Sequence, residues 1–261
     1  MAAYPAPTTI DLPVMRMFRK KTKLPSAASG GEPTATRLPD LLAAQVAIFG
    51  TAPSLSVVDA GAHHGHTAVQ YLEHFPNSRV IALEPEPGNF AIAKDTLAPF
   101  GERVELLPFA LGETDGSVPL RLTSHSGAHS LLEVDDMRYY DAPVETLTPI
   151  AVRMVRLDSI LAERQLDRLD ILKMDIQGAE LLALRGASKL LTRRAVRLIA
   201  LEVLFQPLYR NQPTFWDIAD YLRSLGYALQ GIYDQRHHAA NHAILRWADA
   251  VFVAPELMAL P

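Results

Sequence analysis

Short strand-type segments separated by helix-type ones at a regular spacing limit what this chain can fold into more than any other feature. The strand-type runs cover residues 56–59, 80–84 and 104–109, and helical patterns at 67–75 and 89–100 fill the gaps between them. Alternation of this kind specifies βαβ units, which lay parallel strands side by side and cover both faces of the sheet with helices. The winding resumes with a strand at 169–175, a helix at 179–185 stopped by Gly186, and a strand at 196–202. A helix over 214–225, ended by Gly226, leads to strands at 227–233 and 250–253, and an apolar helix over 38–49, ended by Gly50, precedes the first strand. Between the third and fourth winding strands lies a polar stretch, with extra strands at 117–122 and 152–157 around a loop rich in Ser, His, Asp and Tyr. Long loops in such domains often serve as lids or binding loops.

The expectation is an α/β fold over residues 38–261: a doubly wound, mostly parallel sheet in a three-layer αβα arrangement, with a small β/loop insertion between strands three and four. Residues 1–37 mix Pro, Thr, Ser and Gly and read as a weakly ordered N-terminal arm. Its basic run at 16–23 is either a solvated charge cluster or a surface-binding helix.

Composition narrows the partners. With 49% hydrophobic and 21% charged residues, the 261-residue chain suits one soluble core. A net charge of -4 supplies no long-range attraction for phosphate backbones or anionic lipid, so neither nucleic acid nor a membrane is the expected partner. The absence of cysteine removes disulfides, thiolate metal sites and cysteine nucleophiles. No secretory leader is evident, and no stretch reaches the ~20 apolar residues of a spanning helix, so a cytoplasmic enzyme acting on a small molecule is expected. A homodimer is compatible with these properties.

The most informative stretch is Asp59-Ala60-Gly61-Ala62-His63-His64-Gly65, at the turn from the first strand into the first helix of the winding. Glycines there allow a tight turn and close approach of the backbone to a ligand. A dinucleotide fingerprint counted from Gly61 would need glycines where His63 and His66 stand, so a pyrophosphate would meet side chains. S-Adenosylmethionine, with one nucleoside and a charged methionyl group, makes no such demand and is the favoured cofactor. Glu84, at the end of the second strand and followed by Pro85, is placed to accept hydrogen bonds from ribose hydroxyls. Asp59 could instead cap the following turn and Glu84 could be a solvated strand-end acid; in order and at this spacing they make a nucleoside pocket. His63 and His64 are candidate cofactor contacts or polar loop fillers.

These residues resemble the FkbM family of methyltransferases, which shares a strand-end Asp-x-Gly-Ala loop, a Glu-Pro pair and a later Asp-x-Glu-Gly-x-Glu segment. Here they read Asp59-Ala60-Gly61-Ala62, Glu84-Pro85 and Asp175-Ile176-Gln177-Gly178-Ala179-Glu180, with Gln177 standing where the family has an acid. Arg156-Leu157-Asp158-Ser159-Ile160 and Ala110-Leu111-Gly112 extend the similarity, which runs over about residues 56–202. The resemblance implies a class I methyltransferase sheet with one antiparallel strand near its edge, the cofactor over the carboxyl ends of the first strands, and oxygen as the usual acceptor. It carries over Ala110, Leu111 and Ser130 as cofactor contacts, Ser130 lying in the loop Ser124-His125-Ser126-Gly127-Ala128-His129-Ser130-Leu131. His129 stands where the family has small polar residues and is carried as a candidate catalytic group.

Transfer of a methyl group from a sulfonium is an in-line displacement, for which the protein aligns donor and acceptor and removes the proton of a hydroxyl. Asp175 and Glu202, each read as ending one of two adjacent strands, are the candidate catalytic acids. Either could be the base, or both could hold a Mg²⁺ ion, with the base reading preferred. Asp175 could alternatively be a helix N-cap, and Glu180 a first-turn helix acid. His237, His238 and His242 are read as one loop that could supply a base or metal ligand. Tyr139, Tyr140, Tyr209 and Trp216 could line a substrate mouth, with Trp216 expected in the core. Competing readings are transfer to nitrogen or a carboxylate, a nicotinamide-dependent oxidoreductase, and a non-catalytic nucleoside-binding protein.

Overall fold

Two apolar layers sandwich one seven-stranded sheet, and the division between them is written into adjacent residues of each strand. A computed structural model describes residues 40–51, 53–135, 138–139, 142–206, 208–238 and 241–258. The proposed N-terminal arm and Tyr140 lie outside these residues, as do the side chains of Tyr139, His238 and His242. The strands are β1 (Ser56–Ala60), β2 (Arg79–Leu83), β3 (Val104–Leu107), β4 (Phe109–Leu111), β5 (Gly116–Leu120), β6 (Arg138–Tyr139), β7 (Ala142–Pro143), β8 (Ile150–Val155), β9 (Leu169–Met174), β10 (Val196–Leu204), β11 (Ala228–His238) and β12 (Asn241–Val253). The helices are α1 (Leu41–Phe49), α2 (His66–His74), α3 (Pro87–Leu97), α4 (Leu157–Glu163), α5 (Glu180–Arg185), α6 (Ser188–Thr192) and α7 (Phe215–Ser224).

The main sheet runs β11-β12-β10-β9-β1-β2-β3. Every neighbouring pair from β10 to β3 is parallel, and β12 alone runs against its neighbours β10 and β11. This is the mostly parallel, Rossmann-like sheet with one antiparallel strand that the sequence resemblance implies. Parallel strands covered on both sides read as continuous apolar runs because alternate residues enter opposite layers. Val57 and Ile171 join Ala68, Tyr71 and Leu72 of α2 in one core, while Val58 and Leu172 pack with α4 to α7 in the other. Ile171 and Leu172 are both wholly buried, and truncating either to Ala would cost about 2–5 kcal/mol.

Local chemistry sets the helix limits. Asp40 Oδ1 accepts the Ala43 N–H at 2.8 Å to start α1, and Thr214 and Asp217 form a reciprocal capping box on α7. The buried stripe of α7 is Phe215, Ile218 and Leu222, so Trp216 turns outward and is 69% exposed, against its expected core position.

Three other expectations are corrected. The segment 104–109 is two strands, because Pro108 has no N–H to continue the ladder; β3 pairs with β2, whereas β4 joins a separate β4-β8-β5 sheet. That small sheet is the insertion expected between strands three and four. The last two strands are far longer than expected, so His237 and His238 lie on β11 and His242 on β12 rather than in one loop. Finally, β10 continues past Glu202 to Leu204, and Glu202 faces Asp249 of β12 in register.

Candidate active site

The carboxyl ends of β1, β2 and β9, roofed by the insertion, enclose a cavity of about 290 Å³, near the lower limit of small-molecule pockets. Gly61, His63, Glu84, Pro85, Ala110, Leu111, Ser130 and Asp175, expected to contact the cofactor, all line it, together with the candidate catalytic groups Glu202 and His129. Asp59 and His64 do not; they line an adjoining cavity of about 170 Å³ that also touches Gly61, His63, Lys173 and Asp175.

The β1–α2 turn is built by the backbone. Gly61 has φ +80, and a Cβ there would fall on the Asp175 carbonyl oxygen, so its close approach is to the loop after β9. Gly61 and Ala62 both donate their N–H to the Leu83 carbonyl, at 3.0 and 2.9 Å. The next donor, His63 at φ 51, gives its N–H to Glu84 Oε2 at 2.8 Å, and the Glu86 N–H holds Glu84 Oε1 at 2.9 Å. Three successive donors are thereby spent inside the protein rather than offered to a pyrophosphate. Glu84 is oriented by main-chain bonds and keeps further lone pairs on each oxygen for ligand hydroxyls. Burial raises its pKa to about 7 against the pull of those two N–H groups.

Behind the turn lies a buried charged layer. In the β1–β9 register Asp59 stands opposite Lys173, whose Nζ donates to Asp249 Oδ1 at 2.9 Å. Burial alone would lower the Lys173 pKa, but Asp249 and Asp175 hold its ammonium charged and raise it. Asp59 Oδ2 is buried with no hydrogen-bond partner among the described residues. Burial pushes Asp59 up to about 7 despite Lys173. The N-cap residue of α2 is Gly65, and the Ala68 N–H in the first turn of that helix faces Asp59 and pulls its pKa down against burial, as a turn-capping acid would have it. An excess of carboxyls over one lysine favours a cationic ligand.

The opposite wall is held by side chains. Gln177, at φ 55, donates from Nε2 to Asp175 Oδ1 at 2.8 Å and to Glu202 Oε2 at 3.0 Å. Its Oε1 accepts the Tyr209 hydroxyl at 2.7 Å, and its main-chain carbonyl accepts Ser130 Oγ at 2.7 Å. Tyr209, 1% exposed, braces this wall from behind rather than lining a substrate mouth. Burial and the neighbouring Asp175 charge raise the Glu202 pKa well above the ordinary carboxyl value. Asp175 does not cap α5, whose N-cap is Ala179, and the buried Glu180 closes the loop by accepting the Ile176 N–H at 3.0 Å. A Mg²⁺ bridging Asp175 and Glu202 does not fit this arrangement, because the Gln177 amide nitrogen lies between them. Among the described residues no group of three His, Asp or Glu forms a metal site.

The loop from β5 covers the cavity. Ser126 Oγ lies 2.9 Å from His63 Nε2, and Asn89 Nδ2 donates to the Ser126 carbonyl at 3.2 Å, so the roof is tied to both α3 and the glycine turn. Burial, with His64 beside it, lowers the His63 pKa to about 4, and the two rings stack at 3.7 Å. His129 Nδ1 accepts the Thr123 N–H at 3.2 Å. With Nδ1 accepting that N–H, the ring proton sits on Nε2 and presents a donor, and burial lowers the His129 pKa. Asp158 is remote from the cavity: its two oxygens accept the Lys189 and Leu190 N–H groups and anchor α6.

Sequence reasoning passed over Asn89, Ser126 and Lys173. A lysine inside the apolar run 169–175 is the one signal that could have exposed Lys173, since an ionised side chain in a buried strand requires a partner.

The family described as the Methyltransferase FkbM domain matches residues 59–229, which contain every one of these site residues except Asp249. The 2-O-methyltransferase NoeI of Sinorhizobium fredii is 28% identical over 181 residues, covering 66% of this chain and 72% of its own. Methyltransferase 1 of Beauveria bassiana is 29% identical over 142 residues, or 50% of this chain and 57% of its own. Among solved structures, Methyltransferase FkbM from Methylobacillus flagellatus KT superposes with a TM-score of 0.51 at 20% identity, covering 77% of this chain and 43% of that one, and so shares the fold.

Proposed function

As the chain belongs to the FkbM methyltransferase family and is an S-adenosylmethionine-dependent enzyme, we propose that it methylates a hydroxyl oxygen of a small acceptor such as a sugar or a hydroxylated secondary metabolite. The observation that carries this reading is the convergence of Asp175 and Glu202 on the cavity whose other wall presents Glu84. Support for oxygen as the acceptor atom comes also from the name of the NoeI relative, a 2-O-methyltransferase.

Bound S-adenosylmethionine supplies an electrophilic methyl group on a sulfonium. The chain's residues do the rest. Glu84 accepts the ribose hydroxyls through the lone pairs its backbone donors leave open. Ala110 and Leu111 offer the apolar surface beside it, and Asp59 with the surrounding acids favours the cationic methionyl end. Glu202, with raised proton affinity, takes the acceptor's proton while Asp175 fixes its partner groups, and His129 Nε2–H orients an acceptor oxygen. No described helix is long and apolar enough to cross a membrane.

Methyl-labelled S-adenosylmethionine incubated with matched acceptors bearing a hydroxyl, an amine or a carboxylate on one scaffold tests the reading. Label transferred to the hydroxyl compound, and lost with Glu202→Gln, is the expected result. Transfer to the amine or carboxylate that survives Asp175→Asn and Glu202→Gln would refute it.

A further inference from the structure

Gln177 joins more of the acceptor wall than any other side chain there, yet the chemistry above gives it no part. Its Nε2 stands 2.8 Å from Asp175 Oδ1 and 3.0 Å from Glu202 Oε2, and its Oε1 is 2.7 Å from the Tyr209 hydroxyl. As placed, both N–H bonds of the amide are spent on the acids and the tyrosine hydroxyl completes the oxygen; turned over, its carbonyl oxygen would face the two acids and one of them would have to carry a proton. The left-handed backbone at φ 55 lifts the side chain back over β9 and β10, and the Ser130 Oγ bond to the Gln177 carbonyl fixes that turn.

A nitrogen within hydrogen-bonding reach of one oxygen from each of two acids occupies the place of a bridging cation. A divalent ion in the same space would need those oxygens drawn in to about 2.0–2.6 Å and further oxygen ligands around it. The amide brings two protons instead of two charges. An acid at this position would turn the amide's bridge into a third carboxylate, and three converging carboxylates are a hard-cation site.

We infer that Gln177 is a positioning residue that stands in for a metal ion between Asp175 and Glu202, so that this chain's acid pair is held by an amide and works without a divalent cation. The mechanistic meaning rests on the reading of those two acids as the acceptor-side pair. Its structural content does not, and the test below involves no methyl transfer.

In full-length ¹⁵N-labelled protein, the Gln177 side-chain amide, identified by its disappearance in Gln177→Glu, should show both protons protected from exchange. Asp175→Asn and Glu202→Gln should each displace a different one of the two. With Mn²⁺ as the probe, followed by its paramagnetic resonance signal, Gln177→Glu should bind at least about tenfold more tightly than wild type, because it adds a charged oxygen ligand. Wild-type binding as tight as that of Gln177→Glu and abolished by Glu202→Gln would overturn the inference, as would a Gln177 amide indifferent to both acid substitutions. If Gln177→Glu does not fold, Gln177→Asn identifies the amide signal instead. It tolerates the same backbone conformation but is one methylene short, so the acid substitutions should no longer move its amide; if they still do, the bridging geometry is wrong. An intact amide signature with no transfer to hydroxyl acceptors would refute the oxygen reading alone.

Discussion

The two walls of the cavity are assembled by different means. On the β1–β2 side Glu84 is gripped by the N–H groups of His63 and Glu86, and the turn beneath it is closed onto the Leu83 carbonyl. On the β9–β10 side Asp175 and Glu202 are joined by the side chain of Gln177, which is itself set by Tyr209, a residue 32 positions further along the chain. Main-chain bonds depend on conformation and survive many substitutions, so the first wall suits a ligand common to many enzymes. Side-chain bonds change with each substitution, so the second wall is where an enzyme can be fitted to its own acceptor.

That contrast can be broken most strongly at Glu202. Glu202→Gln should reduce methyl transfer by about 10²–10⁴-fold, the usual contribution of a positioned base, with saturation by the cofactor little changed. A loss below tenfold would move the base elsewhere. Gly61 is where the walls touch, and Gly61→Ala should harm both: a Cβ on the Asp175 carbonyl at positive φ should cost about 3 kcal/mol and lower Tm by roughly 6–12 °C. Unchanged melting would show that the loop after β9 yields freely.

The pH dependence of binding separates the walls more gently. Burial holds Glu84 near 7 in the free protein, so binding that uses the ionised carboxylate expels a proton below that pH. Affinity for the cofactor should therefore fall as pH drops from 7, by up to about tenfold per unit for this one group, and level off above it. In Glu84→Gln the slope should lose one proton; an unchanged slope would assign the effect to Asp59, which burial also raises to about 7. Least affected is the roof: Ser126→Ala removes one neutral hydrogen bond to His63, which at about 0.5–1.5 kcal/mol should change cofactor dissociation by only a few-fold.

The same contrast explains what was legible in the sequence. The backbone-built wall has to be spelled locally: Gly61 is needed at φ +80, Glu84 follows an apolar strand, and Pro85 ends it, so the residues announce themselves. Periodicity likewise shows the winding, because strands buried on both faces must be apolar throughout. The side-chain-built wall leaves no local signature. Gln177 reads only as a departure from a family pattern, and nothing near Tyr209 in the chain indicates that its hydroxyl reaches Gln177. Trp216 was misplaced for a related reason, since one residue of register on α7 decides between Phe215 inward and Trp216 outward. The break at Pro108 was written in the sequence but hidden within a run of strand formers.

The central claim is that one wall binds the cofactor and the other activates the acceptor, and calorimetric titration of S-adenosylmethionine into wild type, Glu84→Ala and Glu202→Gln tests it most directly. The account predicts tight binding by wild type, a loss of about tenfold to a hundredfold in Glu84→Ala from the charged hydrogen bonds removed, and a change within about threefold in Glu202→Gln. Equal losses in both variants would contradict the division of labour, and binding of a nicotinamide cofactor in place of S-adenosylmethionine would contradict the whole reading of the site.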